Sequence, residues 1–178
     1  MSRFEDLIMG CKHQKPQSML ELYNICAQPV YNTCLHVVMN EFDAEEIMQD
    51  SILKAFSNID KFIGSQKDFV AFVNRIALNK SIDWYRKHKN APLFIEIDKE
   101  TEMIDDVDDD EMLTIPVETI RAKIEELPDG YRMVLNLHLI DELDFVDIAE
   151  IMNIQPSTVR SQYSRAKEKL RKLLINNN

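Results

Sequence analysis

The chain has 178 residues, 45 % of them apolar and 29 % charged, with three Gly, six Pro and three Cys, and a formal net charge of −10. That length allows one or two small domains with a modest core each, and a chain rich in Leu, Ile, Met, Lys and Glu but poor in Gly and Pro favours helices over strands. Cys11, Cys26 and Cys34 have neither framework nor metal spacing, no charged-then-apolar leader is seen, and no run of about 18 apolar residues occurs; a disulfide scaffold and a membrane-inserted protein are disfavoured, and a reduced, cytoplasmic protein is expected.

In chain order, residues 1–16 have weak periodicity and stop at Pro16, as in a frayed lead-in or a short helix. Over 17–40 the apolar spacing predicts one or two packed core helices with a kink or break at Pro29. The run Asp43-Ala44-Glu45-Glu46 predicts the next helix start, with Asp43 as cap. On that helix Met48, Ile52, Ala55 and Phe56 share a face expected to be buried, while Glu46, Gln49, Asp50 and Leu53 share another. Spacing alone leaves that acidic face open between plain solvated surface and a docking face for a basic partner. Lys61, Gly64, Ser65, Gln66 and Lys67 predict a loop over 58–68. A long helix follows over 69–88, with Phe69, Phe72, Val73 and Ile76 on one side and Arg75, Asn79, Ile82 and Arg86 on another. Its end, Trp84-Tyr85-Arg86-Lys87-His88-Lys89, suits the helix dipole, and it equally suits single-stranded nucleic acid, where bases stack on rings and cations hold phosphates.

Ala91-Pro92 ends that helix. Residues 96–118 then hold eleven acids against Lys99 alone, which accounts for the whole net charge. A like-charge block is expected to stay extended and solvated, and could span at most about 80 Å. Residues 117–126 and 129–141 predict two amphipathic helices broken at Leu127-Pro128. The stretch from Asp144 to Lys167 predicts a helix-turn-helix: Asp144 caps the first helix, Phe145, Ile148, Ala149 and Met152 form its inner face, Asn153 takes the left-handed turn position, and Pro156 opens the second helix. There Val159, Tyr163, Ala166, Leu170, Leu173 and Leu174 form an apolar stripe. Ser157, Arg160, Ser161 and Ser164 lie opposite, with Arg165 beside them. Arg and hydroxyls near such a helix's N-terminus suit base edges in the major groove. No phosphate-binding Gly loop, no nucleophile with a base and no metal-ligand set is seen, with Cys11 and His13 too sparse for one, so neither catalysis nor a cofactor is expected.

The runs Asp43–Asp50 and Arg75–Lys87 resemble region two of the bacterial sigma-70 family, most closely its extracytoplasmic-function (ECF) group. Leu127–Arg132 and Thr158–Ser161 with Ser164–Ala166 resemble region four. The resemblance covers residues 18–90 and 117–175. It implies an all-α fold with a sigma region 2 domain (1–95) and a sigma region 4 helix-turn-helix domain (117–178), joined by the acidic flexible linker 96–116. It also implies a factor that binds core RNA polymerase and directs it to promoter DNA. Glu46, Gln49, Asp50 and Leu53 would dock on the β′ clamp, with a second contact at the β flap. Lys61 and Ser65 belong to the loop that would hold a flipped-out base of the −10 element. Arg75, Asn79, Asp83, Trp84, Arg86 and Lys87 would bind and open the −10 duplex, which requires a place for an unstacked base and cations for the strand. Ser157, Thr158, Arg160, Ser161, Ser164 and Arg165 would contact the −35 element. An anti-sigma factor is a further candidate partner. Phe72 stands where the family often has Trp, and Asn153 where it usually has Gly. The competing reading is a stand-alone helix-turn-helix regulator that does not bind polymerase. The acidic face and the Arg75–Lys87 helix separate the two, since a simple repressor needs neither.

Overall fold

The computed structural model describes residues 2–89 and 115–175, and all regular structure among them is helical. The chain forms two compact units that divide between residues 90 and 91. The first holds α1 (Arg3–Lys12), α2 (Pro16–Val38), α3 (Glu41–Ser57), a 3-10 turn (Ile59–Lys61) and α4 (Gln66–His88). The second holds α5 (Val117–Glu125), α6 (Asp129–Leu139), α7 (Phe145–Met152) and α8 (Pro156–Ile175). The acidic linker expected over 96–116 lies outside the described residues, apart from its last two.

In the first unit α2 is the central element, packed against α1, α3 and α4. Pro29 does not break it. The helix runs on to Val38, with Pro29 on an exposed side between the fully buried Cys26 and Val30. Packing on three neighbours outweighs the one hydrogen bond a proline removes. Pro16 likewise ends nothing, because it occupies the first turn of α2, where its missing N–H costs no bond. The lead-in is a fully capped helix: Ser2 Oγ accepts from the Glu5 N–H (3.2 Å) and Glu5 Oε2 accepts from the Ser2 N–H (2.7 Å). It reaches α2 through Gly10, where an added Cβ would lie 2.7 Å from the Ser18 Cβ. Gly10→Ala is therefore expected to destabilise the protein by about 1–3 kcal/mol in urea unfolding, despite alanine's better helix propensity. All three thiols are buried, and burial pushes Cys11 up to about 11 and Cys26 up to about 12, so neither offers a thiolate at neutral pH.

Two helix starts differ from the sequence reading. The cap of α3 is Asn40, whose Oδ1 accepts from the Asp43 N–H (3.0 Å). Asn and Asp cap equally well, and the earlier residue wins because Glu41 and Phe42 can join the first turn. The cap of α4 is Ser65, in a box with Asp68. Its hydroxyl and backbone N–H both donate to Asp68 Oδ2 (2.7 and 2.8 Å), which holds that carboxyl below the usual range. The expected loop thus shrinks to 62–65.

The buried face of α4 also differs. Phe69, Val73, Ala77, Ser81 and Tyr85 recur every four residues, flanked by Leu78 and Ile82. Ile82, expected on the polar side, is buried, while Phe72 and Ile76 are half-buried. Both α2 and α3 pack on α4, so its covered face is wider and rotated from what one partner would need. Phe72 keeps an aromatic environment, 6.0 Å from Phe62 and 6.4 Å from Phe69 between ring centroids.

The second unit is built around α6 and α8. Ile124, Leu127, Tyr131, Leu135, Ala166, Leu170 and Leu174 form a core cluster. The amphipathic helix expected over 129–141 is instead buried at every residue from Gly130 to Leu137, because α5, α7 and α8 all pack on it. The helix-turn-helix follows its local signals. Asp144 Oδ1 caps α7 through the Asp147 N–H (2.8 Å), Asn153 is left-handed (φ 54, ψ 49), and Pro156 opens α8. The Ile154 N–H returns to the Ala149 carbonyl (3.0 Å), which closes the turn. Phe145 and Tyr163 are half-buried, grouped with His138 at centroid distances of 4.5 and 4.8 Å, and the inner stripe of α8 runs through the buried Gln162.

Candidate nucleic-acid and polymerase interface

The acidic stripe on α3 is exposed as its spacing predicts. Glu46, Gln49, Asp50 and Leu53 all face solvent, while Ala44, Ile47, Met48, Ser51, Ile52 and Ala55 are buried on the other side. Phe56, expected with the buried set, is half-buried. Gln49 Nε2 donates to Glu45 Oε1 (3.2 Å). Asp50 is not free: Lys80 of α4 donates to it at 3.3 Å. An exposed pair of this kind contributes no more than about 1 kcal/mol and can be exchanged for a partner's cation.

On α4 the expected −10 residues divide into two groups. Arg75, Asn79, Asp83 and Arg86 follow one line along the helix, with Asp83 and Arg86 paired at 3.5 Å. Trp84 lies nine residues beyond Arg75, about two and a half turns, and so on the other side of the axis. It is half-buried and stacked on His88 (4.5 Å, 17°), whose Nδ1 donates to the Trp84 carbonyl (2.8 Å). Lys87 is exposed on the flank between the two. Tyr85, the other ring of that basic end, is core and cannot stack on a base. Lys61 is exposed in the 3-10 turn, whereas the Ser65 hydroxyl is engaged in the cap of α4. Between them Phe62 packs edge-on to Phe69 (5.1 Å), and Gly64 adopts φ 157, where a Cβ would lie 2.9 Å from Asp68. Those anchors fix the loop on both sides of Ile63, which is 94 % exposed.

On α8 the expected −35 residues cluster over the first turns. Ser157 and Arg160 are exposed; Thr158, Ser161, Ser164 and Arg165 are half-buried. Ser161 donates to the Ser157 carbonyl (3.0 Å), so its oxygen remains as an acceptor. Lys167 lies over the Tyr163 ring, 5.0 Å from its centroid, which turns that cation toward the scaffold. Among the described residues no group of His, Cys, Asp and Glu could hold a metal ion, and no helix is long and apolar enough to cross a membrane.

One unit thus pairs an acidic exposed stripe with a basic helix, and the other carries a helix-turn-helix with a polar, Arg-bearing recognition face. Family models described as Sigma-70 region 2 and Sigma-70, region 4 match residues 22–91 and 118–170. The chain belongs to the sigma-70 family of RNA polymerase sigma factors, in its ECF group. It is 33 % identical to the ECF RNA polymerase sigma factor SigW of Bacillus subtilis over 94 % of each chain. It is 27 % identical to SigM of the same organism, over 86 % of this chain and 93 % of that one. Similar solved structures are CnrH in complex with the cytosolic domain of CnrY (TM-score 0.56, 20 % identity, 97 % of each chain) and the sigma factor RpoE in complex with the anti-sigma factor NepR from Bartonella quintana (TM-score 0.55, 20 % identity, 91 % of this chain and 97 % of that one). At that identity they show the fold alone. The protein is a sigma factor, which binds core RNA polymerase and directs it to promoters; the stand-alone regulator finds no support in these relatives.

Proposed function

We propose a division of that work among the elements. The α3 stripe of Glu46, Gln49, Asp50 and Leu53 docks on the clamp of core polymerase. Arg75, Asn79, Asp83, Arg86 and Lys87 hold the opened −10 strand, Trp84 offers a ring at its edge, and Lys61 with the 62–65 loop receives an unstacked base. Ser157, Thr158, Arg160, Ser161, Ser164 and Arg165 contact the −35 element in the major groove. The domains accordingly span 1–95 and 117–178, joined by 96–116. The protein acts in the cytoplasm and performs no catalysis of its own; bond formation belongs to the polymerase. An anti-sigma factor is a candidate regulator, because RpoE of Bartonella quintana is seen bound to one.

The observation that carries this reading is the exposed acidic stripe of α3 beside α4, a helix that bears Arg75, Arg86 and Lys87, in a unit separate from the helix-turn-helix. A DNA-only regulator has no use for the stripe. Runoff transcription with purified core polymerase tests it: promoter-dependent transcript is expected only when the protein is added. Tight promoter binding by the protein alone, without association with polymerase, would refute it. At the residue level, Arg160→Ala is expected to weaken −35 recognition by about 1–3 kcal/mol if the guanidinium contacts a base. A base-by-base −35 substitution series that leaves preference unchanged at every position removes Arg160 from that role.

A further inference from the structure

The exposed face of α3 does not end at Glu46. One turn earlier on the same line stands Phe42, 76 % exposed, and one turn beyond Gln49 stands Leu53, 61 % exposed. Positions 42, 46, 49 and 53 are spaced four, three and four apart, so they form a single stripe with an apolar side chain at each end. Nothing in the fold requires a ring there, since α3 is already anchored through its buried side. Phe42 also forms one wall of a groove of about 460 Å³ between α2 and α3, whose other lining residues are Ala27, Gln28, Tyr31, Glu41, Glu45 and Met48. Ala27, Tyr31 and Met48 give that groove an apolar floor. Glu41 and Glu45 give it an acidic rim, with no cation among the lining residues.

We propose that Phe42 and this groove are the aromatic end of the polymerase contact, and that they take an apolar side chain from the same basic helical segment of core polymerase that docks on Glu46–Leu53. The inference rests on the reading of that stripe as the docking face. Two features commit the groove to this occupant. Phe42 borders both surfaces, so a helix lying along the stripe reaches the groove without a second partner. Charge agrees as well, because Glu41 and Glu45 continue the negative field of Glu46 and Asp50 and favour the same Lys/Arg-bearing segment. An exposed ring beside a pocket also has the form of the few side chains that dominate interfaces, whereas the surrounding carboxylates mainly steer and orient.

The test uses full-length protein and purified core polymerase, with affinity read by fluorescence anisotropy. Phe42→Ser is expected to weaken binding about tenfold or more, and Phe42→Leu, which keeps an apolar side chain, to retain most of it. Because the ring is exposed, thermal midpoints are expected to stay at the wild-type value for both. Glu46→Lys combined with Gln49→Lys is measured alongside. If that pair weakens binding and Phe42→Ser does not, the groove proposal is overturned and the docking stripe stands. If neither weakens binding, both fall. Wild-type core affinity of Phe42→Ser together with lost self-association, or lost binding of a basic regulatory protein, assigns the groove to that other occupant and equally overturns the proposal.

Discussion

Glu46→Lys combined with Gln49→Lys is expected to lower core-polymerase affinity by about a hundredfold and to abolish promoter-dependent runoff transcription, without unfolding the protein. Both side chains are exposed, and the bond that ties Gln49 to its own helix is the 3.2 Å contact with Glu45. Surface changes of that kind alter folding stability by no more than about 0.5 kcal/mol. The interface effect is larger because two cations would replace an acid and a neutral acceptor where a basic surface is proposed to dock. Like charges brought together across an interface cost several kcal/mol, and a hundredfold loss corresponds to about 2.7 kcal/mol. Asp50 is left intact because its pairing with Lys80 at 3.3 Å would make Asp50→Lys a repulsion within the fold as well as at the interface. Anisotropy with labelled protein measures the affinity, and circular dichroism confirms the fold. Unchanged affinity would remove the stripe from docking and leave the basic face of α4 without its neighbouring anchor.

The parts of this molecule that were legible in the sequence are those fixed by chemistry within a few residues. Asp144, Asn153 and Pro156 each act on their own turn, so the helix-turn-helix could be placed closely before any packing was known. Exposure of Glu46 and Asp50 followed from charge, since carboxylates are rarely buried without partners, and Gln49 followed from sharing their line on the helix. What escaped depends on several elements at once. The burial of Ile82 and Tyr85 is decided by α2 and α3 together, and no wheel drawn on α4 alone contains that information. The same holds for Arg132, Asn136 and Gln162, polar residues that three packed helices enclose. Phe42 was missed for a local reason: with the helix expected to start at Asp43, Phe42 lay outside it, and only the cap at Asn40 brings Phe42 into line with Glu46 and Leu53.

Arg132 supplies the second large effect, through its partner. It is 4 % exposed, and its guanidinium is held by Asp129 at 2.6 Å across one turn of α6, while its Nε is buried with no hydrogen-bond partner among the described residues. Asp129 therefore carries the compensation for a cation that cannot reach water freely. Asp129→Ala is expected to destabilise the second unit by about 2–3 kcal/mol, since Arg132 is buried while Asp129 is half-buried, and removing the carboxylate leaves the enclosed guanidinium without that partner. Arg132→Met is expected to cost much less, because it removes the charge and the orphaned Nε together and keeps an unbranched apolar side chain in the space. The two units allow the effect to be localised. Trp84, the sole tryptophan, belongs to the first unit, so its emission reports that unit while circular dichroism reports helices in both. In urea, Asp129→Ala is expected to shift an early dichroism transition and leave the Trp84 transition in place. Because α6 packs on α8, the proposed −35 contact is expected to be lost with that early transition, whereas the proposed contact of α3 with core polymerase is expected to persist until the first unit unfolds. Equal costs for the two substitutions would show that Arg132 is held by its packing and not by the carboxylate.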